Sequence, residues 1–251
     1  MPGILYGIGC GPGDPDQITL QAWRILQQVP VVAVPRGRQY APGVAAQIIQ
    51  RHIPPTTRIL PLACAFGGDA ATTAQCWERA TQEVLVLLRQ GLDVAFVCEG
   101  DSSFYSTFAY LAQGVSAHPE IEVRVIPGVC SPCAAAAAVG LPLVQGEERL
   151  LVVPAVQGWE AVAAALTQAE VVVLLKMARH YPQIWQGLRQ QDLLSASYVV
   201  EWVGWPQQRI YRDLTAHPHL ELSYFSLMVI RTAGPRQKNA RNDRSAAPGD
   251  C

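Results

Sequence analysis

Short apolar runs alternate with stretches of helical spacing through the first half of the chain. Ile4 to Gly9, Val31 to Pro35, Arg58 to Leu62, Val94 to Cys98 and Glu122 to Ile126 are short, largely apolar segments that read as strands. Helical patterns fit between them. The clearest runs from Thr72 to Arg89, where Cys76, Ala80, Val84, Leu87 and Leu88 recur every three to four residues and Gly91 follows as a stop signal. Strand, helix and strand repeated in this way predict a parallel sheet covered on both faces, with right-handed crossovers.

Beyond Pro127 the rhythm changes. The small-residue stretch Ser131 to Gly140 leads into apolar runs at Leu150 to Ala155, Val171 to Met177, Tyr198 to Val203, Arg209 to Leu214 and Tyr224 to Arg231. The hairpin-sized gap Gly204 to Gln208 carries Gly and Pro, so antiparallel pairing is expected there and the second sheet should be mixed. The expected organisation is an α/β protein of two domains: a parallel-sheet domain over 1–126 and a mixed-sheet α/β domain over 127–233. From 234 to 251 the chain is polar and aperiodic, which predicts a disordered tail.

Composition narrows the function classes. Half of the 251 residues are apolar and 16% are charged, enough for a large core without staples. A formal net charge of -1 gives no field to recruit nucleic acid or an anionic membrane, so any anionic ligand must be met by local cations. No apolar run reaches the ~18 residues of a membrane span, and the first residues lack a basic leader, so a cytoplasmic location is expected. The seven cysteines are scattered and odd in number, which argues against structural disulfides. Cys130 and Cys133 have redox or zinc spacing, but no second such pair and no His pair accompanies them. A small buried hydrophobe is the ordinary use of such residues, and no metal is expected.

Three motifs fall at the ends of expected strands. The first places Gly7, Gly9, Gly11 and Gly13 around Cys10 and Pro12, followed by Asp14, just before a helix expected near Ile18. Such glycines serve either a tight turn or close approach of a ligand to the backbone. The dinucleotide fingerprint does not fit, because its third glycine would fall on Pro12 or Asp14. In the second motif, Glu99-Gly100-Asp101 precedes a helix expected near Phe104, and Asp101 is either its cap or an acid facing a ligand. In the third, Pro127-Gly128-Val129-Cys130-Ser131 is either a turn or a helix N-terminus open to a carboxylate.

In this order and spacing, the three motifs resemble those of the tetrapyrrole methylase family, over roughly residues 3 to 232. The resemblance implies two α/β domains, S-adenosylmethionine as cofactor, a tetrapyrrole substrate and a homodimer. The segments around Glu99 to Leu111, around Lys176 and at Tyr224 to Ile230 resemble the C(20)-methylating branch, which implies methylation of precorrin-2 or its cobalt chelate at carbon 20. Carried over position by position, the cofactor contacts fall on Pro12, Gly100, Asp101, Phe104, Cys130 and Ser131. Further contacts fall on Lys176 or Met177 and on Val203 or Gly204. Ser102 stands where most branches have Pro, and Cys130 where relatives have a hydroxyl residue.

The implied chemistry, methyl transfer from a sulfonium to a ring carbon, depends mainly on in-line positioning and exclusion of water. Glu99, Asp101 and Tyr105 are unranked candidates for a base that removes the meso proton. The substrate's carboxylates call for cations, and Arg36, Arg38, Arg179 and His180 stand at strand ends where they can serve, with surface solvation as the alternative. Other readings are a sister methyltransferase acting at another ring carbon, a nicotinamide dehydrogenase, and a non-catalytic tetrapyrrole or metal carrier.

Overall fold

The computed structural model describes residues 1–36, 43–63, 70–155 and 157–232. Arg38, Cys64 and the tail from 234 lie outside the described residues. The chain divides into two compact units, one formed by Met1–Leu143 with Val200–Arg209 and the other by Val144–Val199 with the chain from Ile210 onward. The change of unit therefore falls after Leu143, not at 126, and a short later segment returns to the first unit.

The first unit is built from β1 (Leu5–Gly9), α1 (Leu20–Leu26), β2 (Val31–Arg36), α2 (Val44–Ile49), β3 (Arg58–Ala63), α3 (Ala70–Arg89), β4 (Val94–Cys98), α4 (Phe108–Ser116), β5 (Val123–Ile126) and α5 (Ser131–Val139). The strands form a five-stranded sheet in the order β3-β2-β4-β1-β5, with parallel pairing throughout. Alternation along each strand sorts its side chains onto two faces. Leu5, Val31, Ala33, Val94 and Phe96 pack with α3 and α4 through Trp77, Val84, Leu88, Phe108 and Leu111. Ile8, Val32, Val34, Ala95 and Val97 pack with α1 and α2 through Ala22, Leu26, Ala45, Ile48 and Ile49. Burial on both faces explains why β1, β2 and β4 read as nearly unbroken apolar runs, whereas the edge strands β3 and β5 are largely exposed.

The second unit carries β6 (Leu150–Pro154), α6 (Trp159–Leu166), β7 (Val171–Leu175), α7 (Tyr181–Gln190), β8 (Ser197–Glu201), β9 (Arg209–Arg212) and β10 (Ser226–Arg231), with the last residues of β8 and the first of β9 belonging to the returning segment. Its sheet has the order β6-β7-β10-β8-β9. β6 and β7 are parallel and β7 and β10 antiparallel, so the sheet is mixed. The core gathers Val162, Leu174, Tyr181, Ile184, Leu188 and Met228.

The helix expected near Ile18 is α1, which begins at Leu20, where Thr19 Oγ1 accepts from Ala22 N; before it, Asp14 accepts from Asp16 N at 2.9 Å and caps a single 3-10 turn over Pro15–Gln17. The other helix start differs from the sequence expectation: none begins near Phe104, since α4 starts at Phe108. No helix among the described residues is long and apolar enough to cross a membrane.

Candidate active site

The three glycine-rich motifs leave the carboxyl ends of three adjacent strands. β1 lies between β4 and β5, with Gly9 beside Cys98 and Ile8 beside Ile126. In open parallel sheets this end of the strands is where ligands bind. The first two loops continue the pairing beyond the sheet: Gly11 N donates to Gly100 O at 3.1 Å and Gly100 N to Gly11 O at 2.8 Å. The second and third loops are joined by side chains. Ser102 Oγ donates to Ile126 O at 2.8 Å, and Asp101 Oδ2 accepts from Gly128 N at 2.7 Å.

Asp101 is a clamp between loops. Its other oxygen, Oδ1, accepts from Ser103 N at 2.8 Å and from Ser103 Oγ. Burial alone would raise its pKa. The hydroxyl of Ser103 and the N–H groups of Gly128, Ser103 and Phe104 outweigh that and hold the carboxyl below its usual range. The capping role is thereby excluded, because α4 begins at Phe108 behind Thr107. Asp101→Asn replaces one acceptor oxygen by an NH2 facing an N–H donor, so a stability loss of about 1–3 kcal/mol is expected in denaturant titration at neutral pH. Wild-type stability in the variant would show that the clamp contributes nothing. With a lowered folded pKa, the clamp's contribution is present above the unfolded carboxyl value and is lost as pH falls through the folded one.

The packing of the loops leaves no slack at Gly128. A Cβ there would fall on Gly100 O and within 2.7 Å of the Gly9 carbonyl. Gly100, by contrast, has φ +72° and faces open space, a place where ligand atoms can approach the main chain. Nearby, Gln17 Oε1 is buried and accepts no hydrogen bond from any described residue. An open cradle over Gly100 and a spare acceptor suit a ligand that presents N–H groups and needs close backbone approach.

The returning segment of the first unit completes this side. Trp205 Nε1 donates to Pro12 O at 3.1 Å, and Gly204, at φ +78°, leaves so little room that a Cβ would stand 2.6 Å from Asp14 N. Val203 is buried, and its carbonyl lies against Gly13. Pro12, Val203 and Gly204 are therefore together. Phe104 is partly exposed, its ring edge-on to Tyr105 at 4.9 Å. Cys130 is the N-cap residue of α5 and Ser131 its first residue, with Gly140 at φ +72° closing the helix. Arg36 ends β2.

Glu99, at the root of the second loop, makes no hydrogen bond to any described residue, and burial pushes its carboxyl up to about 7. The neighbouring thiols of Cys10 and Cys98 are buried, which pushes Cys98 up to about 12 and Cys10 well above its usual value. In the second unit, Lys176 follows β7 at φ +57°, the Met177 side chain is buried in that unit's core, and Arg179 and His180 lie in the 3-10 turn Ala178–His180. Among the described residues no cluster of His, Cys, Asp or Glu is placed to hold a metal ion.

Against known proteins, the profile of the Tetrapyrrole (Corrin/Porphyrin) Methylases matches residues 4–218. The chain belongs to the tetrapyrrole methylase family. It is 31% identical, over 91% of its length, to the cobalamin biosynthesis protein CobIJ of Mycobacterium tuberculosis, of which it spans 46%. Two relatives are matched nearly end to end. The cobalt-precorrin-2 C(20)-methyltransferase of Salmonella typhimurium is 28% identical over 92% of this chain and 97% of its own length. The precorrin-2 C(20)-methyltransferase of a Sinorhizobium species is 29% identical over 91% and 95%. Among solved structures, cobalt precorrin-4 methyltransferase CbiF shares the fold with a TM-score of 0.70 at 22% identity, over 90% of this chain and 94% of that chain. Uroporphyrin-III C-methyl transferase of Thermus thermophilus, complexed with S-adenyl homocysteine, does so with a TM-score of 0.65 at 21% identity, over 91% and 97%.

Contacts between segments far apart in sequence account for what the motifs alone missed. Ser102, Gln17 and Trp205 carry no motif signal. Only the odd Ser in place of Pro, and a Trp inside a Gly-Trp-Pro turn, mark two of them.

Proposed function

We propose that this methylase transfers a methyl group from S-adenosylmethionine to carbon 20 of precorrin-2 or its cobalt chelate in cobalamin biosynthesis. The observation that supports this most is the near end-to-end likeness to two relatives named as C(20)-methyltransferases. The joined loops at the carboxyl ends of β4, β1 and β5 give that likeness a physical counterpart. When bound, the cofactor's sulfonium supplies an electrophilic methyl group. Gly100 gives it backbone access, Gln17 Oε1 offers an acceptor for an amino group, and Phe104 gives an apolar wall. Pro12, Cys130, Ser131, Val203 and Gly204 complete the proposed contacts of the first unit, and Lys176 and Met177 those of the second.

Of the three candidate bases, Asp101 is held ionised by its N–H partners and Tyr105 is 49% exposed. Glu99, with its carboxyl near 7, has the proton affinity suited to taking up the meso proton at neutral pH. Arg36, Arg38, Arg179 and His180 are proposed to meet the carboxylates of the tetrapyrrole.

S-adenosylhomocysteine at a hundredfold excess over its Kd is expected to stabilise the protein by about 2.7 kcal/mol, read as a rise in Tm, while NAD and ATP leave Tm unchanged. Incubation with S-adenosylmethionine and either precorrin-2 or its cobalt chelate, with NMR location of the new methyl, identifies the carbon. A shift with NAD alone would favour a dehydrogenase, and methylation elsewhere on the ring would favour a sister enzyme.

A further inference from the structure

The third loop pairs the proposed cofactor contact Cys130 with a second thiol, Cys133, that has no part in the proposed methyl transfer. Cys130, the N-cap of α5, and Cys133, in its first turn, bring their sulfurs to 3.4 Å across Ser131 and a buried Pro132. Cys133 is exposed and Cys130 partly so, which leaves both open to small molecules. Dithiols with this spacing are the ones that cycle reversibly with their disulfides.

We propose that Cys130 and Cys133 form a reversible disulfide that weakens cofactor binding, a modification site resting on the cofactor reading given above. The oxidant is a small disulfide such as oxidised glutathione. Cys130 Sγ, as thiolate, attacks one of its sulfurs and expels one glutathione thiolate, which takes up the proton Cys130 has lost. Cys133 then gives up its proton and attacks Cys130 Sγ, expelling the second glutathione, which takes that proton. Two protein thiols are oxidised and one small disulfide is reduced to two thiols.

The link to the site is mechanical. Bond formation draws the sulfurs from 3.4 Å to about 2.05 Å and fixes the Cys130 side chain toward its own helix. The loop that must absorb this change is tied through Gly128 N to Asp101 and packed against Gly9 and Gly100 without space for a single Cβ. The change therefore reaches the loops on which the cofactor is proposed to sit.

The test uses the full chain equilibrated in reduced or oxidised glutathione, quenched with iodoacetamide and digested with trypsin. Cleavage after Arg124 and Arg149 yields one peptide holding both cysteines and no others. From oxidised buffer it is expected without alkyl groups and two hydrogens lighter than the dithiol. From reduced buffer it is expected doubly alkylated. Cys133→Ser should instead retain glutathione on Cys130. A wild-type peptide that stays doubly alkylated, or that ends as a mixed disulfide, overturns the proposal.

Calorimetric titration with S-adenosylhomocysteine should show affinity about tenfold or more weaker for the oxidised protein, restored by dithiothreitol. Equal affinities would overturn control of binding. Failure of the reduced protein to bind at all would overturn the cofactor reading and its control, while the disulfide stands or falls on the peptide.

Discussion

Gly128→Ala is expected to cost about 3 kcal/mol of stability and to abolish S-adenosylhomocysteine binding. The new Cβ would overlap Gly100 O and stand 2.7 Å from both the C and O of Gly9, all of it backbone at the carboxyl ends of strands. No rotamer change relieves such a contact. The loop must move, which also breaks the 2.7 Å bond from Gly128 N to Asp101 Oδ2. Gly100→Ala is the informative contrast. Its Cβ meets nothing within 4 Å, but it must adopt φ +72°, so the cost should be about 1–2 kcal/mol of backbone strain. Cofactor affinity should still fall, because the methyl enters the open cradle. Denaturant titration and calorimetry of both variants separate the effects. A Gly128→Ala protein of wild-type stability would mean that the loops are not packed as described.

The residues that position these loops were legible to different degrees in the sequence. The inner strands β1, β2 and β4 of the first sheet were readable because burial on both faces makes them nearly continuous apolar runs, and the motif loops because glycines cluster where those runs stop; the edge strands β3 and β5, largely exposed, showed only by their place in the alternation. The start of α4 was not. The segment from Asp101 to Thr107 contains Asp and Ser in cap-like positions, yet Asp101 turns its oxygens to Ser103 and to Gly128, and Ser106 Oγ accepts from Phe108 N at 3.1 Å. Local hydrogen bonding by short polar side chains competes with helix formation, and which use prevails depends on a partner 27 residues away in the chain. The place of Trp205 was illegible for the same reason, since its partner Pro12 lies 193 residues earlier. Periodicity reports which face of an element is buried. It does not report which distant loop will be held against it.

Glu99 supplies the other large expected effect, and its sign depends on pH. Burial raises its folded-state carboxyl to about 7 from an ordinary 4.5, so the native protein holds a proton that the unfolded chain releases. Below about pH 4.5 the proton is present in both states and nothing is lost. Between about 4.5 and 7 stability falls as pH rises, because the native state binds more protons than the unfolded one. Above 7 the full cost, about 3 kcal/mol at 1.36 kcal/mol per unit, is in place. Glu99→Gln keeps the shape and removes the charge. It should match wild type near pH 4 and exceed it by about 3 kcal/mol at pH 8, measured by denaturant titration at both values. If Glu99 also takes the meso proton, the same variant should be the more stable enzyme and the slower one, with the neutral-pH limb missing from its rate profile. A variant that gains stability without losing turnover would leave Glu99 a buried acid and move the base elsewhere. One that gains nothing at pH 8 would show that its carboxylate is solvated in the native protein.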